Sequence, residues 1–527
     1  MGKRYLVLPV DDNKEKKHYR LTREGRLLYD FTAALEPDAP AMRTYIDVTR
    51  FGDGALTLTD DAGIPVPFAE TSRIPPRSER ENGMLFRPRV HFTTEIGWTN
   101  DPNGLLYAGG VYHLFYQHNP HGTDWGNMTW GHAVSSDLMT WEEWGDALFP
   151  DGMGTMYSGS AILDTENRAG FGKDAILLFY TAAGGTSELS AGQPFTQCLA
   201  FSTDGGRTFT KYDHNPILPQ QAPGNRDPKV EWSPELGRYL MALYLEGHTY
   251  AVFASDDLRH WEKFAEIPLP EDDECPDLYP LPAEGTVRWV FSGAHDTYLV
   301  GRIDAAGFHP SQEPLRCGFG DCTAYAAQTF SGCAVQTFPG GAAPGLPGAA
   351  GRRIRMSWVK SVPSGAVFRS QMGIPCEMTL RRAGGLLRLG AYPVRETESL
   401  VRRRFGVREV TQAGETVLAD ADALSGCAAD VTLEIGEGCA PFVLSCFGIE
   451  IGVFPEEGRV VCPNGAAPLS YTGERRLRVL FDTLGAEIFA DGGLICMAAA
   501  QNADFGQGAV LRAQEGVRVR ASVCALG

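Results

Sequence analysis

Val111-Tyr112-His113-Leu114-Phe115-Tyr116 is a short run of β-branched and aromatic residues, and runs of the same type recur four times further along the chain. Such runs, bounded by Gly, Pro, Asn and Asp, predict β-strands. The later copies are Ile176–Tyr180, Tyr239–Tyr244, Val287–Phe291 and Arg353–Trp358. Their central residues lie 48 to 67 residues apart, a spacing typical of propeller blades with loop insertions. We therefore expect a five-bladed β-propeller; five unrelated sandwich strands are the alternative.

A weaker repeat follows three of these runs. Ser135–Trp141 and Ser255–Trp261 share a Ser-Asp turn followed by a Trp, and Ser202–Phe209 is a looser copy. In each, an Asp-centred turn joins two predicted strands. We assign the central acids to turn formation rather than to chemistry: Asp137, Asp204 and Asp257.

Both flanks of this region carry alternating apolar and polar residues, as in Thr44–Val48 and Val431–Ile435. Such alternation predicts half-buried strands of β-sandwich modules. The overall expectation is an all-β protein with three domains: an N-terminal β-sandwich-like module over residues 1–85, the propeller over 86–395 and a C-terminal β-sandwich over 396–527. The stretch Pro339–Gly345 predicts a surface loop in the last blade.

The composition excludes several classes of protein. The chain has 527 residues with a net charge of −18, so we expect no nucleic-acid partner and no anionic membrane partner. No run of about 20 apolar residues exists, and the apolar start of the chain soon breaks into Asp11–Lys14, unlike a secretory signal. The twelve cysteines form no Cys-x-x-Cys pair, which predicts reduced thiols, no metal site and a cytoplasmic protein.

Three carboxylates stand out because each lies in a predicted loop rich in Trp, Asn, Arg, Pro or Cys, just before one of the repeated runs. Asp101 lies in Trp98–Gly104, Asp227 in Asn225–Val230 and Glu274 in Asp273–Tyr279. Equivalent positions in different blades converge on one mouth of a propeller. Converging carboxylates beside aromatic residues suit glycoside hydrolysis, although an Asp before Pro is more commonly a turn former.

Several motifs, in register, resemble the invertases, inulinases and levanases of glycoside hydrolase family 32, and the resemblance covers about residues 86–400. The motifs are Trp98–Gly104, Tyr116–Pro120, Trp125–His132, Tyr157–Ser160, Arg226–Val230 and Glu274–Asp277. The resemblance implies a five-bladed propeller followed by a β-sandwich. The N-terminal module resembles an extension found on some bacterial levanase-like members.

The resemblance also implies a role for each carboxylate. Asp101 would be the nucleophile, Glu274 the acid and later the base, and Asp227 the group that binds fructose hydroxyls and stabilises the transition state. Double displacement by such a pair retains the anomeric configuration. No cofactor is implied. Matching positions give these walls and hydrogen-bonding groups of the fructose pocket: Asn100, Gln117, Trp125, Tyr157, Ser158, Arg226 and Trp358.

Two segments depart from the family pattern. Residues 318–328 replace the usual Asp-Tyr-Gly-x-Asp-Phe-Tyr-Ala, so that a sugar-binding Asp is missing or shifted to Asp321. Pro375-Cys376-Glu377 replaces the usual Pro-Arg-Glu and loses a guanidinium. Both changes affect the expected leaving-group side of the pocket, so substrate preference is expected to differ from that of an ordinary invertase.

The sequence thus predicts a retaining, exo-acting β-fructosidase whose substrates are fructans, fructo-oligosaccharides or sucrose. A fructosyltransferase on the same pocket, including one that forms dianhydrides, is the first alternative. A non-catalytic carbohydrate-binding propeller is the second. The flanking modules have three open roles: sugar binding, homo-oligomer formation and bracing of the propeller. A cytoplasmic location would favour short oligosaccharides over polymeric levan.

Overall fold

The computed structural model describes residues 3–76, 79, 86–321, 323–330, 351–363 and 365–527. Over these residues the protein is all-β, and its helical segments are short 3-10 turns: Thr49–Phe51, Arg395–Leu400, Asp422–Leu424 and Asp491–Gly493. No helix in this part of the chain is long and apolar enough to cross a membrane. The predicted loop Pro339–Gly345 lies outside the described residues.

Five antiparallel sheets follow one another along the middle of the chain. Sheet 1 contains β7 (Gly97–Ala108), β8 (Val111–Asn119), β9 (Thr129–Ser135) and β10 (Glu142–Leu148). Sheet 2 contains β11 (Thr155–Asp164), β12 (Ala175–Ala183), β13 (Phe195–Ser202) and β14 (Thr210–Lys211). Sheet 3 contains β15 (Arg226–Ser233), β16 (Arg238–Glu246), β17 (Thr249–Ser255) and β18 (Glu262–Pro268).

The last two sheets have the same form with short additional strands. Sheet 4 contains β19 (Asp277–Ala283), β20 (Thr286–Ser292), β21 (Thr297–Asp304), β22 (Gly307–Pro310) and β23 (Leu315–Arg316). Sheet 5 contains β25 (Ala324–Thr329), β26 (Ile354–Val359), β28 (Gln371–Met372), β29 (Cys376–Ala383) and β30 (Leu386–Pro393). Strand β27 (Phe368–Arg369) lies between β26 and β28 in the chain but belongs to sheet 1, where it pairs in parallel with β7.

The five runs found in the sequence form the second strand of each sheet: β8, β12, β16, β20 and β26. The prediction that they are strands is confirmed. The first strands contact one another in cyclic order, from β7 through β11, β15, β19 and β25 back to β7. This ring of sheets around a common axis is a β-propeller.

Buried ion pairs connect strands of different sheets. The Lys229 ammonium of β15 lies 3.4 Å from the carboxylate of Asp277 on β19, and both side chains are almost fully buried. The Arg353 guanidinium, next to β26, lies 2.8 Å from the buried carboxylate of Glu231 on β15. Because removing one partner of such a pair leaves an uncompensated buried charge, these contacts tie sheets 3, 4 and 5 together.

Residues 3–76 form two three-stranded sheets that share one core. Their strands are β1 (Tyr5–Val10), β2 (Lys17–Arg23), β3 (Arg26–Ala33), β4 (Met42–Asp47), β5 (Thr57–Asp60) and β6 (Ala69–Thr71). We call this unit the N-terminal module. Its core also includes Val367 and Phe368 beside sheet 1 and Leu484 from the C-terminal region, so the module packs directly against both.

The C-terminal region consists of two sheets that enclose a second large apolar core. Its strands are β31 (Val401–Arg404), β32 (Arg408–Val410), β33 (Gly414–Ala419), β34 (Ala428–Ile435), β35 (Phe442–Cys446), β36 (Ile449–Phe454), β37 (Arg459–Cys462), β38 (Gly465–Pro468), β39 (Arg476–Asp482), β40 (Gly485–Ala490), β41 (Ile495–Ala500), β42 (Ala509–Ala513) and β43 (Val519–Leu526). This pair of facing sheets is a β-sandwich. Strand β24 (Gly318–Phe319), which follows sheet 4 in the chain, joins it through β41. The domain boundaries at residues 85 and 395 stay predictions.

A glycine in sheet 2 allows a close backbone approach that any side chain would block. The β11–β12 pairing shifts register between Tyr157 and Gly159, and a Cβ atom at Gly159 would lie 1.9 Å from the Phe179 carbonyl oxygen. We expect Gly159→Ala to lower the free energy of unfolding by about 1–3 kcal/mol, measured by thermal denaturation. Gly152→Ala is the control, because the nearest atom there is 3.9 Å away. Equal melting temperatures for the two variants would contradict this interpretation.

Candidate active site

The three candidate carboxylates lie where the first strands of sheets 1, 3 and 4 begin. The sequence predicted loops before the strands, but Asp101 lies within β7 and Asp227 within β15. Both strands bulge there, because their register shifts between Thr99 and Pro102 and between Arg226 and Lys229. Bulges re-aim side chains without ending a strand, which is why they look like loops in the sequence.

Two of these residues have left-handed backbone conformations. The φ angle is 66° at Asp227 and 53° at Glu274, which lies just before β19, and it is also positive at Cys275. Non-glycine residues in this region cost about 1–3 kcal/mol each and persist only where the surroundings hold them. For Asp227 one such contact is visible, since its backbone N–H donates to Thr181 Oγ1 at 3.0 Å.

The Cys275 side chain links the nucleophile candidate to the second aspartate. Its Sγ atom lies 3.6 Å from Asp101 Oδ2 and 3.6 Å from Asp227 Oδ2, so these two oxygens are no further apart than twice that distance. The Cys275 backbone N–H also donates to Asp227 Oδ2 at 3.0 Å. Residues from sheets 1 and 3 and the approach to sheet 4 therefore meet at one point.

Asp101 is held from both sides. Ser158 Oγ donates to its Oδ2 at 2.7 Å, and Asn100 Nδ2 donates to its Oδ1 at 3.1 Å. The Asn100 amide is itself fixed, since its oxygen accepts the indole N–H of Trp98 at 2.7 Å. These contacts orient the carboxylate and lower its pKa, while burial and the charge of Glu274 raise it, and the net pKa is raised.

Glu274 is oriented by a guanidinium and a phenol. Arg226 Nη2 donates to Glu274 Oε1, and the Tyr325 hydroxyl donates to Glu274 Oε2 at 2.8 Å. The Arg226 side chain lies over the Tyr244 ring at 4.6 Å and its Nε is 3.8 Å from Asp227 Oδ2. Arg226 therefore lies between two of the three carboxylates.

The ionisation of Asp227 depends on burial and on three charged neighbours. Burial is the largest effect on its pKa, and Glu274 and Asp101 add like-charge repulsion. Arg226 lowers the pKa but does not outweigh burial, so the pKa of Asp227 is raised to about 7. The guanidinium donates its hydrogen bond to Glu274 rather than to Asp227.

Aromatic side chains form two walls around the carboxylates. On one side Trp125, which is 56% exposed, meets Tyr157 edge-on with ring centroids 6.0 Å apart. On the other side Trp98 and Trp358 meet edge-on at 5.7 Å, and Trp358 lies 6.2 Å from the Tyr325 ring. Burial raises the pKa of Tyr157 to about 12, so its hydroxyl stays protonated near neutral pH.

Three residues that the sequence pattern pointed to lie apart from this cluster: Gln117, Asp321 and Cys376. The buried Gln117 amide donates to the Met156 carbonyl oxygen at 2.8 Å, so that it supports the strand before Tyr157. Asp321 accepts a hydrogen bond from Asn464 of the sandwich at 2.9 Å. The buried Cys376 thiol donates to the Ile374 carbonyl oxygen at 3.2 Å. Of the two alternatives, a missing sugar-binding acid or one shifted to Asp321, the direction of the Asp321 carboxylate toward the sandwich favours the first.

The sequence reasoning missed Tyr325, Thr181 and the contacts of the Cys275 thiol with the two aspartates. Tyr325 lies within β25 and in the altered segment 318–328, which departs from the family pattern, so no motif marked its place at the site. Thr181 lies in a strand that is buried on both faces, where no alternation marks the side that faces the site. By contrast, the turn roles of Asp137, Asp204 and Asp257 are confirmed, because each accepts hydrogen bonds from following backbone N–H groups.

One group of potential metal ligands lies beside Glu274 in the described ranges: Asp272, Asp273 and His295. Its acids already have partners. Asp272 accepts backbone N–H groups of Asp273, His295 and Thr297, and Asp273 lies 3.0 Å from His295 Nε2. We assign this group a structural role next to the acid candidate.

Comparison with known proteins agrees with this geometry. The model of the Glycosyl hydrolases family 32 N-terminal domain matches residues 91–389. The chain belongs to glycosyl hydrolase family 32. It is 34% identical over 367 residues to a levanase of Bacillus subtilis (strain 168). The matched region covers 63% of this chain and 51% of the levanase. The family 32 chain therefore spans about half the length of that relative.

Two further comparisons concern one fungal enzyme. The chain is 31% identical over 401 residues to an extracellular exo-inulinase of Aspergillus awamori, covering 64% of this chain and 72% of the relative. The crystal structure of exo-inulinase from Aspergillus awamori matches with a TM-score of 0.73 and 25% identity, over 84% of this chain and 98% of that chain. The propeller-plus-sandwich fold is thus shared.

The raised pKa of Asp227 makes a prediction about stability in this family 32 chain. Between pH 3.8, its ordinary pKa, and about pH 7, the Asp227 carboxyl is protonated in the folded state but ionised in the unfolded state. The free energy of unfolding therefore falls as pH rises through that window. Asp227→Asn removes the effect. We expect the variant to become more stable relative to the wild type between pH 4 and pH 8, measured as the difference between their melting temperatures at each pH. The corresponding change in the free energy of unfolding is up to about 4 kcal/mol.

Asp204→Asn is the matched control. Turn hydrogen bonds lower the pKa of Asp204 to about 2. At pH values well above 4 this carboxyl is ionised in both the folded and the unfolded state, so its contribution to stability no longer changes with pH. This variant should therefore show the same loss of melting temperature at pH 5.5 and pH 8. A pH-independent difference between Asp227→Asn and the wild type would contradict the assigned charge balance.

Proposed function

We propose that this chain is a retaining β-fructosidase that releases fructose from the non-reducing ends of fructans, fructo-oligosaccharides or sucrose. We further propose that its five sheets are the five blades of one propeller. The observation that carries the proposal is the meeting of Asp101, Asp227 and Glu274 around Cys275 and Arg226. The names of the matched relatives, a levanase and an exo-inulinase, support fructan-type substrates.

In the first step an Asp101 oxygen attacks the anomeric carbon of the terminal fructose. The bond from that carbon to the glycosidic oxygen breaks, and Glu274 donates its proton to the departing oxygen. Ser158 and Asn100 keep the Asp101 carboxylate fixed, so little reorganisation is needed during attack. In its ionised form Asp227 accepts hydrogen bonds from fructose hydroxyls and stabilises the positive charge that develops on the ring.

In the second step water replaces the departed sugar. The Glu274 carboxylate removes a proton from water, the water oxygen attacks the anomeric carbon, and the ester bond to Asp101 breaks. Two inversions at the same carbon retain its configuration. Arg226 and Tyr325 contact the Glu274 carboxyl on different oxygens, so the group keeps one position through both steps.

The two steps depend differently on Glu274, and this provides the test. β-Fructofuranosyl fluoride needs no proton for departure of its leaving group, so Glu274→Gln should form the ester from the fluoride while losing about 10³-fold in kcat with sucrose. Added azide, which needs no general base, should restore turnover of the fluoride. Asp101→Asn should lose activity on both substrates, with or without azide.

Asp137→Asn is the control for this experiment, since Asp137 is a turn carboxylate whose contacts are local. Its activity should match that of the wild type. Full activity of Asp101→Asn would contradict the assigned nucleophile. Saccharide binding by the wild type without turnover of any fructoside would support the non-catalytic carbohydrate-binding alternative.

A fructosyltransferase is the second candidate. It would use the same ester with a sugar hydroxyl in place of water, and the direction of Asp321 toward Asn464 favours an outer pocket that differs from the family pattern. Product chromatography with sucrose and 1-kestose separates the two reactions. We expect fructose as the main product; new oligosaccharides or dianhydrides would support transfer.

We propose a cytoplasmic location and therefore a preference for short substrates. The ten described cysteines are all free thiols, which suits a reducing compartment. We expect kcat/KM to be higher for 1-kestose than for levan. Activity on levan far above that on the trisaccharide would contradict this proposal.

A further inference from the structure

The N-terminal module contacts two loops at the end of the propeller where the carboxylates lie. The mouth loop, residues 120–128, follows β8, whose last residue Asn119 pairs with Trp98 at the start of β7. The second loop, residues 184–194, follows β12, whose last residue Ala183 pairs with Thr155 at the start of β11. Both loops therefore lie beside the beginnings of first strands.

Asp12 of the module binds Thr123 in the mouth loop. Its Oδ2 accepts the backbone N–H of Thr123 at 2.6 Å and the Thr123 hydroxyl at 2.8 Å. The carboxylate approaches so closely that a Cβ atom at Gly122 would lie 2.9 Å from Asp12 Oδ1. Hydrogen bonds to a carboxylate are stronger than neutral ones, so this contact is suited to holding a loop.

Asn127 attaches the other end of the mouth loop to the same module. Its side-chain oxygen accepts the backbone N–H of Thr32, and its amide donates to the Thr32 carbonyl oxygen, both at 2.8 Å. The amide thus extends the edge of β3 as a further strand residue would. In the second loop, Asp30 likewise accepts the backbone N–H groups of Glu188 and Leu189.

Trp125 lies between these two attachment points. The Trp125 residue is 56% exposed, and its indole meets the Tyr157 ring edge-on. Ser158, which follows Tyr157 in the chain, donates a hydrogen bond to Asp101. An exposed indole beside the carboxylates offers a flat apolar face to the C–H groups of a sugar ring. Its position relative to the pocket is set by the loop, and the loop is held by the N-terminal module.

We propose that the N-terminal module is a positioning element that, through Asp12, fixes the mouth loop and thereby sets affinity for sugar units beyond the terminal fructose. It takes no part in bond cleavage. This inference rests on the proposed function, because it names what the same site recognises outside the reacting unit. Asp12 is a positioning residue, since it acts through Thr123 and Trp125.

The test compares substrates with and without an outer sugar. In Asp12→Ala, KM for 1-kestose and longer oligosaccharides should rise about fivefold or more, while kcat stays within twofold of the wild type. With β-fructofuranosyl fluoride, which has no second sugar, both constants should be unchanged. An equal rise in KM for the fluoride would overturn the proposal.

A double-mutant cycle separates this role from simple stabilisation. If Asp12 acts by placing the indole, Asp12→Ala should add no further increase in KM when combined with Trp125→Ala. The control is Glu70→Ala, which breaks an ion pair with Arg4 inside the module and leaves the mouth loop untouched. Additive effects in the cycle, or the same rise in KM in Glu70→Ala, would overturn the proposal.

Hydrogen exchange provides a readout that does not depend on activity. Backbone amides of residues 120–128 should exchange faster in Asp12→Ala and at the wild-type rate in Glu70→Ala. Unchanged exchange in Asp12→Ala would overturn the positioning role whatever the enzyme's substrate. Absence of fructose release by the wild type would instead overturn the proposed function and leave the loop attachment measurable by exchange.

Discussion

Asp101, Asp227 and Glu274 meet around the Cys275 thiol, and the surrounding structure must offset the repulsion among them. Arg226 supplies the nearby positive charge, yet burial still raises the pKa of Asp227 to about 7. The left-handed backbone conformations at Asp227, Glu274 and Cys275 add conformational strain to this repulsion. These strained positions persist because the strands carrying them are fixed on both sides, so stability of the propeller supports the chemistry directly.

That fixation comes from the ring of inner strands. Each sheet alone is an ordinary unit of four or five strands, but the buried ion pairs Lys229–Asp277 and Arg353–Glu231 join different sheets. The outer attachments act on the loops. Asp12 and Asn127 link the mouth loop to the N-terminal module, so the site is braced from the axis and from the rim.

Local pattern was sufficient to predict the five second strands and the convergence of the carboxylates, because apolar runs and repeat spacing are properties of neighbouring residues. It did not reveal that Asp101 and Asp227 lie on bulges within strands, since a bulge depends on the register with the partner strand. Tyr325 and Thr181 were missed for the same reason: each reaches the site only through contacts between sheets. The hydrogen bond of Arg226 to Glu274 rather than Asp227 likewise depends on three-dimensional placement.

The central claim is that Asp101 carries the fructosyl group between the two steps. The most direct measurement is peptide mass spectrometry of Glu274→Gln after brief reaction with β-fructofuranosyl fluoride and quenching in acid. We expect one added fructosyl unit on the peptide that contains Asp101, and none when Asp101 is replaced by Asn in the same background. A fructosyl unit on the peptide that contains Asp227, or a label that survives replacement of Asp101, would contradict it.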